Sequence, residues 1–90
     1  MNRSQILRTA EDLISTERDK IYGDPFMNHD RIAKLWSVLL EKEITPSQVA
    51  LCMVMVKAAR LVQTPDHEDS FIDGSAYFAI AGELATGDCE

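Results

Sequence analysis

The sequence predicts an all-α protein, a four-helix bundle whose third helix is central and buried. Residues 49–62 contain twelve apolar residues out of fourteen. At 100° per residue these twelve cover the whole circumference, which is typical of a buried helix. The segment is too short to cross a bilayer, which needs about 20 residues. Elsewhere apolar residues recur at helical spacing, and the period-two alternation of strands is absent.

Length, composition and charge narrow the class of protein. Ninety residues with 46% hydrophobic content predict one globular domain. A net charge of −6 argues against nonspecific binding to nucleic acid or to an anionic membrane, because both partners need a basic surface. The two cysteines, Cys52 and Cys89, form neither a disulfide framework nor a metal-binding pattern. With no signal-peptide core at the N-terminus, we expect a cytoplasmic protein.

The first two predicted helices span residues 4–22 and 25–41. Ser4 is the predicted N-cap of the first helix, and Gly23 is expected to end it. Its apolar stripe consists of Ile6, Leu7, Ala10, Leu13, Ile14 and Ile21. Asp24 and Pro25 favour a new helix, with aspartate as the cap and proline at the first helical position. The predicted buried stripe of that second helix consists of Ile32, Leu35, Trp36, Leu39 and Leu40.

The third and fourth predicted helices span residues 46–63 and 68–85. Thr45 and Gln48 have the spacing of a capping box, with Pro46 in the first turn between them. Residues 64–67 form a short polar connection, and Gly87 lies beyond the end of the fourth helix. Four helices with short connections favour an up-down bundle.

One polar cluster is expected inside this bundle. On the wheel of the fourth helix, Asp69 and Asp73 share a stripe with apolar residues further along the helix. The short connection makes the third and fourth helices antiparallel neighbours, which brings Lys57 and Arg60 beside these acids. One interpretation is an internal ion-pair network, favoured at both ends by the helix dipoles. The other is a phosphate or metal–phosphate site, in which the carboxylates hold Mg²⁺ and the bases neutralise phosphate.

The turn between the first two helices is a second candidate site. As structure alone it is a helix–helix corner capped by Asp24. As a ligand site, Tyr22 would stack on a base, and Asn28 or His29 would bind its polar edges. His67 has no second histidine or cysteine at ligand spacing, so a zinc site is not expected. A nucleophile–base pair, a phosphate-binding loop and a dinucleotide fingerprint are also missing.

Several short motifs are spread along residues 17–85. They are Arg18, Tyr22-Gly23-Asp24-Pro25, Asn28-His29, Ile32-Ala33, Leu35-Trp36, Ile44-Thr45-Pro46, Val49-Ala50, Lys57, Ala59-Arg60, Glu68-Asp69, Asp73 and Tyr77. Together these motifs resemble a family of small uncharacterised proteins encoded by tailed phages and prophages. The tyrosine-glycine, lysine–arginine and paired-aspartate elements are similar to a nucleotide-modification-associated phage domain. More remotely they are similar to the MazG-like all-α nucleoside triphosphate pyrophosphohydrolases.

This resemblance implies a nucleotide or other phosphate as the ligand. The ligand residues predicted from the two candidate sites together with the resemblance are Arg18, Tyr22, Asp24, Asn28, His29, Lys57, Arg60 and Tyr77. If the chain were a Mg²⁺-dependent pyrophosphohydrolase, Asp69, Asp73 and Glu68 would hold the metal. The MazG-like enzymes carry a Glu-x-x-Glu and a Glu-x-x-Asp on two helices, and this chain has neither. We therefore expect binding without turnover, for example the sequestering of a nucleotide defence signal.

Two further expectations follow from the sequence. The alternative to nucleotide binding is a protein–protein interaction function, in which the chain is a helical adaptor for a host protein. The charged cluster would then be purely structural. Because residues 49–62 have no polar arc, we expect that three partner helices do not enclose them. We therefore expect at least a homodimer that buries one side of the third helix or of its neighbours.

Overall fold

A computed structural model, which describes residues 1–15 and 24–87, contains four α-helices and no strand in that part of the chain. The helices are α1 (Arg3–Leu13), α2 (Pro25–Leu40), α3 (Pro46–Gln63) and α4 (Glu68–Thr86). The all-α prediction is therefore confirmed. Arg18, Tyr22 and Gly23 lie outside the described residues, as does Cys89 near the C-terminus.

The starts of α2 and α3 follow the predicted capping chemistry. The backbone N–H of Gln48 donates to Thr45 Oγ1 at 3.2 Å, and the N–H of Thr45 donates to Gln48 Oε1 at 2.9 Å. This reciprocal pair satisfies two N–H groups that have no partner within the helix. At the start of α2, Asp24 Oδ1 accepts from Phe26 N at 3.0 Å. Local sequence thus determines both boundaries.

The boundaries predicted for the first helix are wrong. Asn2, not Ser4, is the N-cap, because Asn2 and Gln5 form a capping box with hydrogen bonds of 2.9 and 2.8 Å. The helix ends at Leu13, with Ile14 as the C-cap at φ −112°. Ser15 follows, and serine competes with the helix for backbone hydrogen bonds. Residues 16–22 of the predicted helix lie outside the described residues.

The four helices pack in the spatial order α2, α3, α4, α1. The most extensive contact is between α3 and α4, and α2 and α1 pack on α3 and α4 respectively. Ser47 Oγ donates to the carbonyl oxygen of Ala81 at 2.9 Å, whereas Lys57 meets Asp73. Early residues of α3 therefore contact late residues of α4, which makes the pair antiparallel. The predicted central position of the third helix is confirmed for α3, which lies between α2 and α4.

The prediction that the third helix is buried is wrong for the single chain. Of α3, only Val49 and Ala50 are buried, and Met55 and Val62 are largely exposed. The predicted buried stripe of α2 is likewise exposed at Leu35, Leu39 and Leu40. The reason is that α1 packs on α4, which leaves the far sides of α2 and α3 uncovered. The buried hydrophobic residues are Ala10, Ala33, Val49, Ala50, Ile72, Ala76 and Ala81.

Candidate functional site

A row of four side chains joins three helices, and we call it the polar row: Lys57 of α3, Asp73 and Tyr77 of α4, and His29 of α2. Lys57 Nζ lies 3.2 Å from Asp73 Oδ2. Their side chains are 24% and 34% exposed, so water still reaches this ion pair. An added Cβ at Gly74 would lie 3.8 Å from Lys57 Cβ. The lysine stem therefore passes close to the α4 backbone, which positions its ammonium group beside Asp73.

His29 occupies the other end of the polar row and is buried. Its Nδ1 lies 2.7 Å from the carbonyl oxygen of Pro25. A carbonyl only accepts, so the proton of the neutral ring belongs on Nδ1, and Nε2 is left as the acceptor. The ring packs edge-on against Tyr77, with 6.2 Å between the ring centroids and 65° between the planes. Tyr77 lies one turn after Asp73 on α4, which places the two contacts on the same side of that helix.

Of the acid–base cluster expected between α3 and α4, the described residues contain one ion pair. Lys57 pairs with Asp73, as the antiparallel arrangement predicts. Arg60, one turn further along α3, is exposed and makes no ion pair with a described residue. Asp69 is exposed as well. Lys57 and Arg60 are three residues apart, which places them only about 60° apart around α3 and one turn apart along it.

The other predicted ligand residues are dispersed or have structural contacts. The Asp24 carboxylate accepts the hydrogen bond that caps α2, and Asn28 is exposed beside His29. The predicted ligand residues Arg18 and Tyr22 belong to the part of the chain that the structure does not describe. His67 Nδ1 lies 2.7 Å from the hydroxyl of Ser70, which is buried. His67 thus interacts within the first turn of its own helix.

The predicted metal ligands are not brought together. Glu68 Oε1 lies 3.3 Å from the N-terminal amino group of Met1, whereas Asp73 contacts Lys57. Within residues 1–15 and 24–87, no three histidine, cysteine, aspartate or glutamate side chains are arranged to hold a metal ion. Asp69 and Asp73 share a stripe of α4, but Glu68 is rotated by 100° from Asp69. This rotation prevents the three carboxylates from converging.

Comparison with known proteins places the chain in a family. Residues 5–85 match the family described as "Domain of unknown function (DUF6378)". The chain belongs to the DUF6378 family. It is 40% identical over 80 residues to the Gene 55 protein of Mycobacterium phage L5, covering 88% of this chain and 51% of that protein. It is 47% identical over 72 residues to the Gene 55 protein of Mycobacterium phage D29, covering 80% and 48%.

The resemblance to small phage proteins is thus confirmed. This DUF6378 chain spans about half the length of the curated phage relatives it matches. No solved structure matches it. None of the helices in the described part of the chain is both long and apolar enough to span a membrane.

From the sequence, His29 belonged to the candidate site in the turn between the first two helices, whereas Tyr77 lay on the predicted fourth helix. The structure brings them into contact. The signal that links them is the position of His29 on its helix. His29 lies one turn before Ala33, and both are buried. A histidine on the packed side of α2 must meet a neighbouring helix, and at this position it meets Tyr77.

Proposed function

We propose that this protein is phage-encoded and binds a nucleotide or another phosphate ligand without turning it over. The observation that supports the proposal is the polar row, where a water-accessible lysine–aspartate pair lies beside a histidine–tyrosine contact. Arg60 extends this row by one turn of α3. The remote similarities to a nucleotide-modification-associated domain and to MazG-like pyrophosphohydrolases belong to the proposal.

The chemistry of the row suits a phosphate group joined to an aromatic base. The guanidinium of Arg60 has five N–H donors in a planar fork that matches phosphate geometry. Lys57 can exchange its contact with Asp73 for a phosphate oxygen, because partly exposed ion pairs contribute only about 0–1 kcal/mol. Tyr77 would lie beside the base, with Asn28 at the exposed edge. Arg18 and Tyr22 complete the proposed ligand set from the sequence alone.

The side-chain geometry favours binding over hydrolysis. A pyrophosphohydrolase of the MazG-like type needs several carboxylates on one Mg²⁺, whose preferred ligands are oxygens in octahedral geometry. Among the described residues, the Asp73 carboxylate contacts a lysine and the Glu68 carboxylate contacts an amino group. We therefore propose that the ligand is held intact. Sequestering of a nucleotide defence signal in the host cytoplasm is the biological role that this activity would serve.

A helical adaptor is the second candidate function. It is favoured by the many large apolar side chains exposed on the single chain, of which Val38, Leu39 and Val62 are the most exposed. Such surfaces mark contacts with other proteins. In that case the Lys57–Asp73 pair would be purely structural. Binding measurements separate the two functions.

Replacing Arg60 with alanine is expected to weaken nucleotide binding by about 10- to 100-fold, since a hydrogen bond to a charged group contributes about 1.5–3 kcal/mol. Because Arg60 is exposed and has no acidic partner among the described residues, the melting temperature without ligand should hardly change. Isothermal titration calorimetry against a panel of nucleotides measures the effect. Arg31→Ala, an exposed arginine on α2, is the matched control and should bind like the parent.

The same titrations distinguish the two site hypotheses and the adaptor. Asp73→Asn should leave nucleotide binding intact if Lys57 is the phosphate ligand, and should abolish stabilisation by Mg²⁺ if the site is a metal-dependent enzyme. Native mass spectrometry of protein from infected cells would show a retained nucleotide by its mass. If no nucleotide binds the parent protein, the binding proposal fails and the adaptor remains.

A further inference from the structure

A single chain exposes more solvent-accessible surface than a compact monomer of the same mass is expected to expose. Its accessible surface is 6710 Å² for 10.1 kDa. A compact monomer of that mass is expected to expose about 5,300 Å², so the excess is about 1,400 Å². The radius of gyration is 13.7 Å, compared with about 12 Å for a compact domain of 90 residues. Four helices packed in a row explain both values.

Two apolar stripes on the neighbouring helices α2 and α3 contribute to this surface, and together we call them the α2–α3 face. It consists of Ile32, Leu35, Trp36 and Leu39 on α2, and of Leu51, Met55, Ala58 and Val62 on α3. Leu39, Met55 and Val62 are 79%, 62% and 86% exposed. The four α3 residues follow the spacing i, i+4, i+7, i+11, which is the pattern of a helix–helix seam.

The α3 part of this face points away from α4. Ser47 and Lys57 mark the side of α3 that contacts α4, through their bonds to Ala81 and Asp73. At 100° per residue, Met55 lies about 160° from Lys57 around the helix. On α2, Leu35 lies about 160° from the buried Ala33 by the same measure. Leu35 and Leu39 of α2 are exposed, as are all four α3 residues of the face, so no element of the described chain covers them. Ile32 and Trp36 are partly buried.

We propose that a second copy of this chain covers the α2–α3 face, so that α2 and α3 of both copies form a four-helix bundle around a two-fold axis. The whole-chain excess of about 1,400 Å² is large enough to include a homodimer interface, because standard interfaces bury about 800 Å² per partner and obligate dimers bury more. The cores of homodimer interfaces are apolar and poor in charge. All eight side chains of the face are uncharged.

The net charge and the symmetry also favour a second copy. Two chains of charge −6 repel each other, but they can meet at this face without placing like charges together. A two-fold interface uses the same patch on both copies, and the seam spacing of α3 supplies a self-complementary stripe. The four-helix bundle predicted from the sequence is then assembled from two chains.

Light scattering of the full chain after gel filtration tests the proposal. At micromolar concentration we expect twice the chain mass of 10.1 kDa. Met55→Glu and Leu39→Glu should each raise the dimer dissociation constant by at least about 100-fold, because each places two buried, unpaired carboxylates at the interface. Leu7→Glu on α1 is the matched control, since Leu7 and Met55 are both 62% exposed. This variant should remain dimeric.

If the glutamate variants fail to fold, a photo-cross-linking residue at position 39, 55 or 7 tests the proposed interface instead. Placed at position 39 or 55, it should give a covalent dimer in good yield, and at position 7 it should give little. A parent protein that is monomeric at micromolar concentration would overturn the proposal, as would a dimeric Met55→Glu variant. Equal cross-linking from positions 7 and 55 would overturn it too. A monomer would indicate another occupant, such as the additional length that the phage relatives carry.

Discussion

Replacing Val49 with aspartate is expected to abolish the folded state. Val49 is the largest fully buried side chain of the described chain, and it lies in the first turns of α3, the helix that contacts both α2 and α4. Burying a carboxylate without a partner costs several kcal/mol. A domain of 90 residues has a total stability of about 5–13 kcal/mol. Far-ultraviolet circular dichroism should therefore show a largely unfolded chain at room temperature.

Val38→Asp is the matched control for this substitution. Val38 is 78% exposed on α2, and it lies outside the α2–α3 face. The same chemical change there should cost less than about 1 kcal/mol, because surface substitutions have small effects. If Val49→Asp and Val38→Asp melted at similar temperatures, the burial of Val49 and the packing of α3 described above would be wrong.

Ile72→Ala is expected to have the second-largest effect, a loss of about 2–4 kcal/mol of unfolding free energy. Ile72 is buried with Ala10 and Ala76, and Ile6 and Ile14 pack against this cluster. The other two buried members are alanines, so Ile72 is the largest buried side chain at the contact between α1 and α4. Truncating it leaves a cavity at that contact. Urea titration followed by circular dichroism gives the free energy.

Hydrogen exchange locates this loss. The amides of α1 should exchange faster in Ile72→Ala, whereas those of the α3–α4 pair should keep more of their protection. Phe78→Ala serves as the control, since Phe78 is a large apolar residue of the same helix that is 59% exposed. Equal destabilisation by both variants would show that α1 does not depend on the cluster around Ile72.

The boundaries of α2, α3 and α4 could be predicted from the sequence because the residues that start and end a helix act locally. A capping box, a proline in the first turn and a terminal glycine act within four residues, and Thr45, Pro46 and Gly87 illustrate them. The start of the first helix was harder to predict, because both Asn2 and Ser4 are residues that favour the N-cap position. Only the reciprocal bond with Gln5 distinguishes them.

The extent to which α3 is buried could not be predicted from such local signals. Periodicity identifies which residues are apolar, but it does not identify what covers them. The sequence predicted an up-down bundle around the third helix, but α1 packs mainly on α4 and leaves part of α3 uncovered. The extent of the exposed α2–α3 face is the difference between these two arrangements.

The candidate site was predictable in part. The short connection between the last two helices placed Lys57 and Arg60 beside Asp69 and Asp73 as one cluster. The structure contains one contact of this cluster, between Lys57 and Asp73, whereas Arg60 and Asp69 are exposed. Register along an antiparallel pair follows from loop length, whereas rotation about each helix axis depends on packing. The contact between His29 and Tyr77 depends on that packing as well.

The row-like order of the helices has a consequence for how the chain folds. The α3–α4 contacts close a loop of a few residues, but Ala10 and Ile72 are 62 positions apart in the sequence. Closing a longer loop costs more entropy, so we expect the α3–α4 hairpin to form in the transition state and α1 to dock afterwards. Stopped-flow measurements on Ala10→Gly should then show faster unfolding with an unchanged folding rate, and slower folding would contradict this order. The N-terminal helix α1 would thus detach first during unfolding and dock last during folding.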